Sequence, residues 1–326
     1  MSKAVGWENR IGRRLRLRDL HFLFVVVQSG SMGKAAAQLG VSQPVVSEAI
    51  ADLEATIGVR LLDRSPRGVE PTLYGRALLK RGQIAFDELR QGIKDIEFLA
   101  DPTKGEVRIG CSESISAGFL PPVVEQLSRQ HPRIVFHVAQ VNTLDPRLEF
   151  PELRERTLDL ILARLVKPFG EFQFDDDLSV QHLFDDNLLV VAGAQSRWAK
   201  RRKIDLAELV EEPWILPPGS WNHLAVEEAF RAIGMSLPKI CVETFSVALR
   251  NQLLLGGRYI AAIPSSMSLA KAKLPGLKVL PVGLPKKPWP VAIVTLKNRT
   301  LSPAADLFIE NAREIAGLMK AQRKAR

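Results

Sequence analysis

Two cysteines in 326 residues, Cys111 and Cys241, cannot make the framework of a disulfide-stapled domain, and such sparse use suits a reducing compartment. No apolar run approaches the roughly 18–20 residues of a membrane-spanning helix, and the N-terminus has no apolar signal core. The sequence therefore predicts a cytoplasmic protein with no membrane contact. Enzyme signatures are missing too. There is no Gly-x-Ser-x-Gly elbow, no phosphate-binding Walker loop, no dinucleotide glycine fingerprint and no His-Glu-x-x-His zinc pair. The five histidines, His21, His131, His137, His182 and His223, are scattered without metal-ligand spacing. These absences predict neither catalysis nor a cofactor nor a metal.

What is present is unevenly charged. The chain carries +9 overall; residues 1–82 hold 13 Lys and Arg against 7 Asp and Glu, while residues 83–296 hold 25 against 26. A basic N-terminal part on a near-neutral body is the electrostatic footprint of a nucleic-acid-binding domain. The length allows two or three domains, each with its own core.

Residues 31–64 contain two short amphipathic helical patterns separated by a Gly40-Val41 break, the layout of a helix-turn-helix. In the second, Val46, Ile50, Leu53 and Ile57 recur at spacings that place them on one buried face, with Ser47, Glu48 and Ala51 turned away. Ser42 is suited to an N-cap, and Pro44 falls in the first turn, where a missing N–H costs little. A capped, polar helix end projecting from a small core fits the major groove of DNA. Spacing alone is equally compatible with a buried helical hairpin. The basic turn Arg64-Ser65-Pro66-Arg67-Gly68 shifts the balance, because it has the form of a β-wing with two arginines for phosphates.

The wording Val41-Ser42-Gln43-Pro44-Val45-Val46-Ser47, Gly58-Val59-Arg60-Leu61-Leu62-Asp63-Arg64 and Pro71-Thr72-Leu73-Tyr74-Gly75 resembles the LysR-type transcriptional regulators, and the likeness runs through most of the chain. The implied architecture is an α+β multidomain one. A winged helix-turn-helix (16–73) follows a basic arm (1–15), a linker helix (74–101) comes next, and a two-lobed α/β domain like a periplasmic binding protein (102–326) ends the chain. The first lobe would comprise 103–185 and 266–326 and the second 186–265. The resemblance implies double-stranded promoter DNA and a small-molecule effector as partners, a homodimer or homotetramer, and RNA polymerase as a further partner it allows. DNA contacts are expected from Ser31, Ser42, Gln43, Pro44, Ser47, Glu48, Arg64 and Arg67. The recognition helix departs from the family in carrying Glu48 and Ala51 where basic or amide side chains are common.

The linker has no proline from Thr72 to about Leu99, and Leu78, Ala85, Leu89, Ile93 and Ile96 form a stripe suited to pairing with a second copy. Beyond Asp101-Pro102-Thr103-Lys104-Gly105 the pattern changes to strands near 107–111, 135–141, 158–163, 188–192 and 260–263 alternating with helices, which predicts a parallel sheet. In such sheets ligands sit where strands end and helices begin. Ser112-Glu113-Ser114, Asn142-Thr143, Gly219-Ser220-Trp221 and Thr244-Phe245-Ser246 occupy such places. Each hydroxyl taken alone is as well explained as a helix cap; their convergence on one cleft is implied by the resemblance. The same likeness matches Ser114 and Thr143 to positions that hold an effector carboxylate, with Arg164 adding positive charge. Glu113 leaves room for an effector bearing hydroxyl or amino groups. Gly257-Arg258-Tyr259 departs from the family's Gly-x-Gly, with Tyr259 expected to fill part of the cleft. Two other readings stay open: an α/β binding protein or enzyme with an incidental helical N-terminus, and a regulator switched through its cysteines.

Overall fold

The computed structural model describes residues 14–65, 68–141, 149–165, 174–269, 276–284 and 289–324, and the chain divides into two compact units, Met1–Arg90 and Gln91–Arg326. In the first, helices α1 (Leu17–Ser29), α2 (Met32–Leu39) and α3 (Gln43–Ile57) enclose a core that includes Leu20, Leu23, Val26, Ala35, Val46, Ile50 and Leu53. The stripe of α3 is the expected one, with Ile57 only half-buried. The sequence also spaces Leu17, Leu20, Phe24 and Val27 as the packing face of α1, but Leu17 is exposed, and Leu20, Leu23 and Val26, joined by Phe22 and Val25, carry the burial. Phe24 instead meets Phe86 edge-on at 5.7 Å.

Gly40 makes the turn of the motif. Its φ of 67° lies in the left-handed region, and Val41 N–H returns to the Ala36 carbonyl at 3.1 Å, which sends the chain directly into α3. Strands β1 (Leu62–Ser65) and β2 (Gly68–Pro71) then form an antiparallel hairpin, with Arg64 opposite Val69. Glu54 sets its start, its Oε1 accepting from the N–H groups of Leu61 at 2.7 Å and Leu62 at 3.1 Å. Helix α4 (Leu73–Ala100) follows at very close range: a Cβ on Gly75 would stand 2.1 Å from the Leu61 carbonyl oxygen, so no larger residue fits. Leu78 and Phe86 of α4 pack on the core, whereas Leu89, Ile93, Ile96 and Leu99 are exposed.

The second unit runs β3 (Lys104–Cys111), α5 (Glu113–Gly118), α6 (Leu120–Gln130), β4 (Arg133–Gln140), α7 (Pro151–Arg154), β5 (Leu160–Arg164), β6 (Leu178–Asp186) and β7 (Leu188–Gly193). It continues with β8 (Trp214–Leu216), α8 (Trp221–Ala232), β9 (Ile240–Glu243), α9 (Val247–Leu255), β10 (Ile260–Pro264), α10 (Ser266–Leu269), β11 (Leu277–Val279), β12 (Trp289–Leu296) and α11 (Pro303–Lys324). Two five-stranded sheets result, in the orders β4-β3-β5-β12-β6 and β11-β7-β10-β8-β9. The first is clad by α6 and α11, whose Val123, Leu127, Phe308 and Ala312 meet Val107, Ile109, Leu160 and Ile293. The second is packed by Trp214, Phe230, Ile260 and Leu209.

Both sheets are mixed rather than parallel. β3, β4 and β5 run parallel, but β12 is antiparallel to β5 and to β6; likewise β8, β9 and β10 are parallel while β7 is antiparallel to β10. The cause is the crossover. β6 passes into β7 through Asn187 alone, so one continuous extended stretch leaves one sheet and enters the other. The expected return to the first lobe at residue 266 also needs correction. After α10 the chain goes back to the second sheet, where β11 pairs with β7, and only β12 re-enters the first. β11 is three residues long with little burial, so it had no period to betray it.

Candidate functional site

Among the residues expected to contact DNA, Ser31, Ser42, Gln43, Pro44, Ser47 and Glu48 belong to α2 and α3 and their N-caps. Ser31 and Ser42 stand at the N-caps of α2 and α3, and neither side chain makes a capping bond. Ser42, Gln43, Pro44 and Glu48 are exposed and Ser47 half-buried, with Val46 and Ile50 facing inward beneath them. The hydroxyl of Ser42 is therefore not spent on its own helix. Arg64 projects from the exposed face of β1; Arg67 lies outside the described residues. A polar helix start with its N-cap hydroxyl unused can offer hydrogen bonds to base edges, and a hairpin cation can offer charge to phosphates.

In the second unit the two lobes border a cleft of about 420 Å³. Ser112, Glu113, Ser114, Arg164, Ser220 and Trp221 all line it. Gly219 and Ser246 do not; the Ser246 hydroxyl caps α9 by accepting from Leu249 N–H at 3.2 Å. Thr143 lies outside the described residues. The Ser220 hydroxyl is also spent on its helix, donating to the Pro217 carbonyl at 2.8 Å and accepting from His223 N–H at 3.3 Å. Residues 113–118 form the short helix α5, so Glu113 and Ser114 stand in its first turn. Tyr259 packs instead against the second lobe's Val191 and Leu254 cluster.

Arg164 is not the free cation the sequence implied. It is 3% exposed, and its Nη2 donates to Asp186 Oδ2 at 2.8 Å. Its Nη1 donates to Ser114 Oγ at 2.9 Å, and its Cζ lies 4.6 Å above the Trp221 ring. Burial holds the guanidinium below arginine's usual range, with the Asp186 carboxylate pulling the other way. Asp186 in turn accepts from Ser265 Oγ at 2.7 Å, Ser266 N–H at 3.0 Å and Ser266 Oγ at 2.5 Å. This one carboxylate joins the end of β6, where the chain leaves the first sheet, to the start of α10, which follows the second sheet's β10. The pair is a hinge fastener.

One cleft group was not foreseen, and the role of Asn222, which ends the expected loop 217–222, became plain only in the structure. Arg250 of α9 is 7% exposed and lines the cleft; burial lowers its pKa to about 10, opposed by the charge of Glu113. Its signal was a cation on the same helical face as Val247 and Leu254. Asn222 donates from Nδ2 to the Ala262 carbonyl at 2.9 Å, fixing α8 to β10 beneath the cleft. Glu113 reaches across, its Oε1 accepting from Val247 N–H at 2.8 Å. Cys111 is 1% exposed with its thiol pushed up to about 11 by burial, and Cys241 is exposed. A buried thiol of that kind is poorly suited to redox signalling.

Comparison with known proteins gives a consistent picture. The helix-turn-helix model of the bacterial regulatory lysR family matches residues 17–76, and the LysR substrate binding domain model matches residues 100–317. The chain is 31% identical over 303 residues to the HTH-type transcriptional activator CmpR of Synechocystis, covering 90% of this chain and 93% of that one. It is 28% identical over 294 residues to the HTH-type transcriptional regulator GbpR of Azospirillum brasilense, covering 90% and 84%. Full-length CbnR, solved with its target DNA, shares the fold with a TM-score of 0.52 at 20% identity, over 93% of this chain and 100% of that one.

Proposed function

This chain belongs to the LysR family, as a DNA-binding transcriptional regulator with an effector-binding domain, and from that premise we propose that a small organic acid or sugar-derived metabolite switches it from the cleft between its two lobes. The observation that carries this reading is the cleft itself. Its 420 Å³ fall within the range of small-molecule sites, and its walls combine aromatic and apolar surface with a few polar groups. Because Asp186 neutralises Arg164, the Ser112–Ser114 wall suits a neutral polar end of the ligand. The two hydroxyls lie 3.2 Å apart, and Ser114 is already held by Arg164.

The protein acts in the cytoplasm on promoter DNA, through the exposed start of α3 and Arg64. The bare stripe Leu89, Ile93, Ile96 and Leu99 joins copies into dimers and, with contacts between effector domains, tetramers. Closing the lobes on an effector changes the spacing of paired DNA-binding domains, and contact with RNA polymerase carries that change to transcription.

DNA footprinting with and without each of a set of small organic acids and sugar acids tests the proposal. An effector should alter the extent of protection, and Ser114→Ala should need about ten- to a hundredfold more of it. An unchanged footprint under every compound, with a full transcriptional response in Ser114→Ala, would place the switch elsewhere.

A further inference from the structure

Of the cations on the cleft wall, Arg164 is neutralised in direct contact by Asp186 at 2.8 Å, whereas Arg250 feels only the more distant charge of Glu113. No carboxylate comes within 4.0 Å of the Arg250 guanidinium among the described residues. Its Nε and Nη2 donate to Asn251 Oδ1 at 3.2 and 3.1 Å, and Nη2 also approaches Met267 Sδ at 3.6 Å. These are weak, neutral acceptors for a cation with 7% of its surface exposed, and Nη1 has no hydrogen-bond partner among the described residues. Buried charges are normally paired, because desolvation without a counter-charge costs several kcal/mol. A chain that keeps such a cation on a cleft wall holds a place for an anion. Glu113 supplies the complement: one oxygen caps α9 through Val247 N–H at 2.8 Å, while Oε2 has no partner among the described residues.

We propose that Arg250 receives the carboxylate of the effector and that Glu113 Oε2 accepts from a hydroxyl or amino group of the same molecule, so the ligand class is hydroxy or amino acids. This rests on the reading of the cleft as the effector site. A plain acid would leave Glu113 facing an apolar carbon, and a neutral sugar would leave Arg250 unpaired. Each costs affinity, so the two groups together select for a bifunctional ligand. Arginine is apt here because its planar fork matches a carboxylate.

The test is calorimetric titration of the full chain with lactate, serine, gluconate and 4-hydroxyphenylacetate, each beside its primary amide and its counterpart lacking the hydroxyl or amino group. At least one acid should bind, with its amide and its stripped counterpart each about tenfold or more weaker. Arg250→Gln should bring that acid down to the level of its amide, with Arg250→Lys between the two. Equal binding of acid and amide by the parent protein overturns the proposal without any variant having to fold, and so does failure of every acid to bind. A second variant, Gln140→Trp, fills the cleft from an exposed position. Acid binding lost in Gln140→Trp but kept in Arg250→Gln removes Arg250 and leaves the cleft reading intact. Binding kept in both removes the cleft reading as well.

Discussion

Removing the Asp186 carboxylate should unfasten the hinge at a cost that can be worked from its contacts. The side chain is fully buried and accepts from Arg164, Ser265 and Ser266, including the Ser266 N–H at 3.0 Å. Asp186→Ala strands the Arg164 guanidinium, which keeps only its bond to Ser114 and its place over Trp221. Breaking a buried pair from one side costs about 3–5 kcal/mol. For a unit of this size that corresponds to a fall in Tm of roughly 6–20 °C, taking about 2–4 °C per kcal/mol. Thermal unfolding followed by circular dichroism would read it. The double variant Arg164→Met, Asp186→Leu should recover a substantial part, because no charge is then left unpaired. A loss below about 1 kcal/mol in Asp186→Ala, or a double variant that behaves as the sum of the single ones, would show that the pair does not hold the lobes.

Other consequences follow from exposure and charge. Arg64→Ala should weaken binding to all DNA sequences alike and reduce the salt slope by about one phosphate, measured by gel shift across a salt series; an altered base preference would contradict a role on the backbone. Replacing Leu89 and Ile93 together by Glu should leave monomers by light scattering and abolish DNA binding while the effector domain stays folded; a dimer that persists would remove the stripe from the interface. Cys111, with its folded pKa raised to about 11, stays a neutral thiol at neutral pH, so native maleimide labelling should mark Cys241 alone and reach Cys111 only as pH approaches that value. Labelling of Cys111 near neutral pH would reopen the redox reading.

The helix-turn-helix was legible because each of its helices carries its own record: an apolar period, a left-handed glycine at the end, a serine at the start. The long α4 was equally plain from an uninterrupted stripe. Strand pairing was harder. β12 is a continuous buried run, yet Pro290 near its start and the register shift between Val291 and Ala292 obscure it as a central strand. β6 mixes Gln181, His182 and two aspartates with apolar residues, so neither alternation nor a run stands out. At the site, the segments bearing Ser112, Ser114 and Trp221 were found by their position where strands give way to helices. The use of each side chain was not. That Arg164 is neutralised by a carboxylate 22 residues further on, and that Ser220 spends its hydroxyl on its own helix, are tertiary facts with no local trace.

Whether this chain reads DNA can be decided by selection from fragmented genomic DNA with the full-length protein. Fragments that share a motif with two half-sites should be enriched in a salt-sensitive way, and the enrichment should be lost when Gln43, Ser47 and Glu48 are replaced together by Ala. Enrichment of no common sequence, or binding indifferent both to salt and to those three changes, would contradict sequence-specific DNA binding.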